Sequence, residues 1–279
     1  MANFATPLNV YEFGPEEPPP DGAATGSRAA SAPAILALHG LTGHGLRWQH
    51  FARDQLADYR VIAPDLRGHG RSPWVPPWTI EQHVADLTAI LRHLDRAVIV
   101  GHSFGGNLAV HLSRAMPERV AGLVLLDPAV ELEPAWMLEL ADATTYSPDY
   151  TDRAEARSDK LSGAWRGVAR EVLERELDEH LVTLPTGRVN WRIGMPAVIA
   201  TFGELARTRV LPPTGTPTVL VVAKHASPPF VTPAFRAALA AALGNALTVF
   251  DADTDHMVAQ EDPLLTGRAI RTILEGLAP

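Results

Sequence analysis

Apolar positions along this chain follow two rhythms that take turns. Short, mostly unbroken runs have strand length: Ala34-Ile-Leu-Ala-Leu38, Tyr59-Arg-Val-Ile-Ala63, Ala97-Val-Ile-Val100, Val120-Ala-Gly-Leu-Val-Leu-Leu126, Thr218-Val-Leu-Val-Val-Ala223 and Ala246-Leu-Thr-Val-Phe250. Continuous rather than alternating apolarity suits strands covered on both faces, as in a parallel sheet. Leu8 to Gly14 has the β-branched and aromatic character of a further strand.

Between the runs the spacing becomes helical. Leu46 to Leu56 gathers Trp48, Phe51, Ala52 and Leu56 near one face. Thr79 followed by Gln82 resembles a capping box, and Ile80, Val84, Leu87, Leu91 and Leu94 then recur at helical spacing. A helix is also expected after residue 103, ending near Met116-Pro117, and others over Pro233 to Leu243 and Leu264 to Leu277. Strand and helix in alternation predict a right-handed, doubly wound, mostly parallel α/β sheet.

From Glu131 to Arg209 the alternation stops. Helical patterns take over at Ala135 to Ala143, Lys160 to Trp165 and Val168 to Leu181, and Trp136, Trp165 and Trp191 fall here. The pattern predicts a helical cap, residues 131–209, inserted between two strands of a core made from residues 1–130 and 210–279.

Composition narrows this only a little. With 279 residues, 46% hydrophobic and 20% charged, the chain fits one core plus an insertion. A net charge of -8 argues against nucleic acid or an anionic membrane as partner. The absence of cysteine excludes disulfides, thiolate metal sites and a thiol nucleophile, and suits a reducing cytoplasm. Met1-Ala-Asn-Phe-Ala-Thr-Pro7 lacks the basic and apolar regions of a signal peptide, and no run is long enough to span a bilayer. Pro15 to Pro33, rich in Pro, Gly, Ala and Ser, reads as a surface loop.

Candidate chemistry centres on Gly101-His102-Ser103-Phe104-Gly105, a G-x-S-x-G pattern between a strand and a helix. In that context the serine occupies a strained turn that exposes its hydroxyl at the sheet edge. A hydroxyl needs a base to take its proton and a third group to orient that base. Of the eleven histidines, His256 stands out because it follows the last strand in a polar loop before the final helix, at the same carboxyl edge as Ser103. The chain holds no H-E-x-x-H, Walker A or Rossmann glycine pattern, so neither metal nor nucleotide cofactor is expected.

These residues carry a resemblance. His39-Gly40, Asp65-x-Arg67-Gly68-His69-Gly70-x-Ser72, Gly101-His102-Ser103-Phe104-Gly105-Gly106 and Asp255-His256-Met257-Val258 are similar to the motifs of the α/β-hydrolase fold, over nearly the whole chain. The resemblance implies Ser103 as nucleophile, His256 as general base, and the backbone N–H groups of Leu41 and Phe104 as oxyanion donors, each worth about 3–4 kcal/mol. The commonest family pattern places the acid after the strand that follows the cap. From Leu205 to Phe250, however, there is no Asp or Glu. A family variant carries the acid at the end of the preceding strand, where this chain has Asp127; Asp251, Asp253 and Asp255 lie too close to His256 along the chain to favour the role.

The expected function is hydrolysis of a small, largely apolar carboxylic ester through an acyl-serine intermediate, with Gly40, His102 and Trp136 near the substrate. Two alternatives remain at this stage. One is a carbon–carbon bond hydrolase or cofactor-free oxygenase-type enzyme on the same fold, and the other a non-enzymatic small-ligand receptor. His69 and Arg71 are expected to be structural, and Lys224 and His225 to fill a turn.

Overall fold

Consecutive side chains of a strand point to opposite faces, so an unbroken apolar run demands cover on both. The computed structural model, which describes residues 7–15 and 32–277, supplies that cover. Seven strands form one sheet: β1 (Val10–Phe13), β2 (Ala34–Leu38), β3 (Val61–Pro64), β4 (Ala97–His102), β5 (Val120–Leu126), β8 (Thr218–Ala223) and β9 (Leu247–Ala252). Their order is β1-β3-β2-β4-β5-β8-β9, parallel throughout except for β1 at the edge.

Helices α1 (Gln49–Gln55), α2 (Ile80–Leu91), α3 (Phe104–Ala115), α8 (Pro233–Leu243), α9 (Val258–Glu261) and α10 (Pro263–Gly276) accompany the sheet. Leu36, Leu38, Ile99, Leu123, Leu125 and Leu220 share one face with Leu87, Leu91, Leu108 and Leu112 from α2 and α3. Ile35, Ala37, Val98, Val100, Val124 and Val219 share the other with Phe51 of α1 and Ile270 and Ile273 of α10. Helix α2 starts where the capping pattern places it, the Thr79 hydroxyl accepting from Gln82 N at 3.3 Å. Ile80, Leu87 and Leu91 are buried, while Val84 is half-buried.

The insertion between β5 and β8 contains α4 (Pro134–Tyr146), α5 (Arg153–Ser162), α6 (Arg170–His180) and α7 (Met195–Leu205), with a two-stranded ribbon of β6 (Leu181–Thr183) and β7 (Val189–Trp191). Two differences from the sequence reading stand out. The helix expected over Lys160 to Trp165 instead begins at Arg153, because the Asp152 carboxylate accepts from Ala154 N and Glu155 N at 2.8 and 2.9 Å, and it stops before Gly163. The ribbon was invisible because its strands have three residues each, too few to show a period of two. Most of the loop expected from Pro15 to Pro33 lies outside the described residues.

Strand register decides what meets what. Leu38 pairs with Gly101, His102 with Leu126 and Leu126 with Val221, so β2, β4, β5 and β8 end at one edge. The chain leaves β2 for β3 on one side and leaves β4 for β5 on the other. The crevice between β2 and β4 is therefore the switch point at which open α/β sheets bind ligands. Among the described residues, no helix is long and apolar enough to cross a membrane.

Leu125 sits in this layered core with no solvent exposure. Leu125→Ala should cost about 2–5 kcal/mol, read as a lowered urea midpoint with unchanged slope. A loss below about 1 kcal/mol would show that the two layers close over the gap.

Candidate active site

Ser103 stands between β4 and α3 with φ 54° and ψ −119°, a conformation unfavourable to a residue with a Cβ. It is held there by its neighbours. Its N–H donates to the Leu126 carbonyl at 3.0 Å, and its own carbonyl accepts from Ala129 N at 3.1 Å and Gly106 N at 2.9 Å. Small residues make room for this turn: a Cβ on Gly105 would stand 2.5 Å from the Leu38 carbonyl oxygen.

Asp127 follows β5 directly and also takes a left-handed backbone conformation, φ 41°. Its side chain is almost entirely buried. One carboxylate oxygen accepts from Ala223 N at 3.2 Å, and the other lies 2.6 Å from His256 Nδ1 across 129 residues of sequence. Burial penalises a charge on either partner, raising the Asp127 carboxyl and lowering the His256 imidazole. The Ala223 N–H opposes the rise by favouring the carboxylate. A neutral imidazole whose Nδ1–H is donated to Asp127 leaves Nε2 unprotonated, the form a general base requires.

The other carboxylates on the His256 loop are engaged elsewhere. Asp255 forms a bidentate pair with Arg166, Asp253 pairs with Lys224 at 2.9 Å and His225 at 3.1 Å, and Asp251 pairs with Arg236 at 3.2 Å. Lys224 and His225 thus lie exposed against Asp253, away from Asp127.

The loop after β2 lies against the serine. A Cβ on Gly40 would stand 2.9 Å from Ser103 Cβ and 2.8 Å from His102 Nδ1. His39 Nε2 accepts from Leu66 N at 2.9 Å, so Nδ1 carries the proton and donates to the Gly40 carbonyl at 2.8 Å. Burial holds this imidazole well below its ordinary range, in keeping with a fixed neutral tautomer. In a planar trans peptide the C=O and the next N–H point opposite ways, so His39 turns the Leu41 N–H away from itself. Among the described residues, neither the Leu41 nor the Phe104 amide has a backbone acceptor.

A cavity of about 380 Å³ opens onto Ser103 and His256. Its lining includes Leu41, His102, Ile193, Met195, Val198 and Phe202, together with Arg47, Lys160, Trp165 and Trp191. His102 also donates from Nε2 to the His256 carbonyl at 2.7 Å, and burial pushes its pKa down to about 3. Gly40 supports the cavity from behind the serine without lining it. Trp136 does not line it either: its ring packs edge-on against Phe230, 5.1 Å between centroids. Phe230 in turn stacks on the His256 ring at 3.5 Å and 10°. It comes from the carboxylate-free loop after β8, where nothing in the sequence marked an aromatic partner for the base.

His69 is buried against the His39 ring, and Arg71 pairs with Glu179 at the surface. The rest of their motif braces the edge. The Asp65 carboxylate accepts from Gly45 N at 2.6 Å and Arg71 N at 2.8 Å, while Arg67 forms a buried fork with Asp86 at 2.7 and 2.8 Å. Among the described residues there is no group of three or more potential metal-ligating side chains.

Comparison with known proteins agrees with this architecture. Residues 35–267 match the model of the alpha/beta hydrolase family. The chain is 50% identical over 247 residues to lipase LipV of Mycobacterium tuberculosis, covering 88% of this chain and 94% of that protein. It is 25% identical over 243 residues to esterase YbfF of Escherichia coli, covering 86% and 92%. Among solved structures, a marine microorganism esterase superposes with a TM-score of 0.73 at 20% identity, covering 96% of this chain and 99% of the other. An E-2-(acetamidomethylene)succinate hydrolase gives a TM-score of 0.74 at 20% identity, covering 96% and 95%. The two structures speak to the fold alone, but the family match spans most of the sequence, and the chain belongs to the alpha/beta hydrolase family.

Proposed function

We propose that this protein is a serine esterase, hydrolysing carboxylic esters by way of an acyl-enzyme on Ser103. The observation that carries the reading is the buried hydrogen bond between His256 Nδ1 and Asp127, with Ser103 in the same cavity as that imidazole. The relatives named lipase and esterase support an ester as the substrate.

In this reading His256 Nε2 takes the Ser103 proton as Oγ attacks the ester carbonyl carbon. The carbonyl oxygen becomes an oxyanion, to which the Leu41 and Phe104 N–H groups donate. Asp127 keeps the Nδ1–H in place and balances the imidazolium. His256 then hands the proton to the leaving alkoxide, which departs as the alcohol. Water, deprotonated by the same imidazole, releases the acid and restores Ser103. Residues 131–209 act as a cap that shields this chemistry from bulk water, and Met195, Val198 and Phe202 offer the substrate an apolar wall.

Two measurements test the assignment. Ser103→Ala should abolish release of p-nitrophenol from p-nitrophenyl esters and labelling by a fluorophosphonate, while keeping the wild-type unfolding midpoint. Labelling that persists at another residue would remove Ser103 from the mechanism. Asp127→Asn should lower kcat by about four orders of magnitude, because an amide at that site favours the wrong imidazole tautomer. If Asp253→Asn or Asp255→Asn produced that loss and Asp127→Asn did not, the acid would have to be reassigned.

A further inference from the structure

The lining of the Ser103 cavity holds a charge pattern that ester hydrolysis itself does not use. Lys160 of α5 and Arg47, which precedes α1, both line the cavity. Their side chains are only 7% and 6% exposed. A single buried carboxylate, Glu176 of α6, answers them both: it pairs closely with Arg47 and lies 3.4 Å from Lys160 Nζ. His44 Nε2 also reaches Glu176, at 3.1 Å. His180, from the same helix, is held well below the ordinary imidazole range by burial and adds no charge at neutral pH. Two buried cations therefore face one buried carboxylate, and any charge on His44 would only enlarge the excess.

Around Lys160 the remaining partners are soft. Its Nζ lies 4.3 Å from the Trp165 ring centre and 4.1 Å from that of Trp191. Ring faces attract a cation but carry no charge of their own. Asp159, on the same helix, also borders the cavity, but it is exposed and accepts the Tyr150 hydroxyl at 2.7 Å, so solvent screens much of its field. Tyr150 itself stays a neutral phenol, its pKa raised by burial. Burial draws Lys160 down from 10.5 to about 8, with Arg47 adding to the fall, despite the pull of Glu176.

An unbalanced charge on a buried side chain is costly until an opposite charge arrives. We propose that Lys160 and Arg47 make a carboxylate subsite within this cavity, so that the preferred substrates are esters that carry a free carboxylate beside an apolar portion. Ile193, Met195, Val198 and Phe202, which line the same cavity, take that apolar portion. This inference rests on the esterase reading and names its substrate class.

The test compares matched esters of the same leaving group: mono-p-nitrophenyl adipate against p-nitrophenyl hexanoate. A second pair, the butyrate ester of 4-hydroxybenzoate against phenyl butyrate, puts the carboxylate on the alcohol side. In one of the two pairs, kcat/KM should favour the anionic ester at least about tenfold, the discrimination expected of one charge-assisted contact. Lys160→Met, which leaves the Arg47–Glu176 pair intact, should bring that ratio to within about twofold of unity. In the wild type the ratio should also fall as pH rises through about 8, where Lys160 sheds its proton while the substrate carboxylate stays charged. That titration keeps the proposal testable should the variant fail to fold. Equal turnover of both members in both pairs overturns the subsite, and so does a preference indifferent to both Lys160→Met and pH. Failure to hydrolyse any of the four esters strikes instead at the esterase reading.

Discussion

The hydrogen bond between Asp127 and His256 is the contact that the carboxyl edge of this sheet is arranged to protect. A carboxylate removed from water is tolerable only where donors replace the lost hydration, and Asp127 has two, from Ala223 N–H and His256 Nδ1–H. Each depends on distant chain. The Ala223 amide is in place because β8 pairs with β5, and His256 because β9 pairs with β8 before the loop turns back. Phe230 stacked on one side and His102 holding the backbone carbonyl then leave the imidazole little freedom. Packing, register and acid–base chemistry are one problem at this edge.

The histidine-glycine and D-x-R-G-H-G-x-S segments show how sequence motifs of an enzyme can be largely architectural. Asp65, Arg67 and His39 serve to brace loops. Asp65 and His39 hold the loops after β2 and β3 to each other through Gly45 and Leu66, while Asp65 also ties Arg71 within its own loop and Arg67 ties that loop to Asp86 of α2. The insertion is fixed to the same brace: Gly70 N donates to the Arg192 carbonyl and Gly194 N to that of Gly68, both at 2.8 Å. The orientation of the Gly40–Leu41 peptide thus depends on side chains one layer behind the cavity.

What could be read from the sequence was whatever is encoded locally. The elbow, the strand runs and the cap of α2 each depend on residues within a few positions of one another. Ser103 and His256 were singled out because each follows a strand at the same edge of the sheet, whereas Asp127 and Leu41 were named only through the family resemblance. Lys160, Glu176 and Arg47 gave no such signal. Glu176 is one of five acidic residues in Arg170–His180, and only the tertiary fold buries it while Glu171 and Asp178 stay exposed. Phe230 was hidden for the same reason, since its partner is 26 positions away and in another loop. Trp136 shows the converse: an aromatic residue in the right segment that packs beside the site rather than in it.

Placing the carboxylate after β5 has a mechanical consequence. Ser103 and Asp127 terminate adjacent strands, and backbone bonds from Ser103 N to Leu126 O and from Ala129 N to Ser103 O tie the two turns directly. Their separation is set by the sheet ladder itself, the stiffest element of the molecule. Of the three groups, only His256 arrives on a loop. The geometry therefore combines a pair fixed by the sheet with a third group whose place depends on the packing of Phe230 and the His102 hydrogen bond.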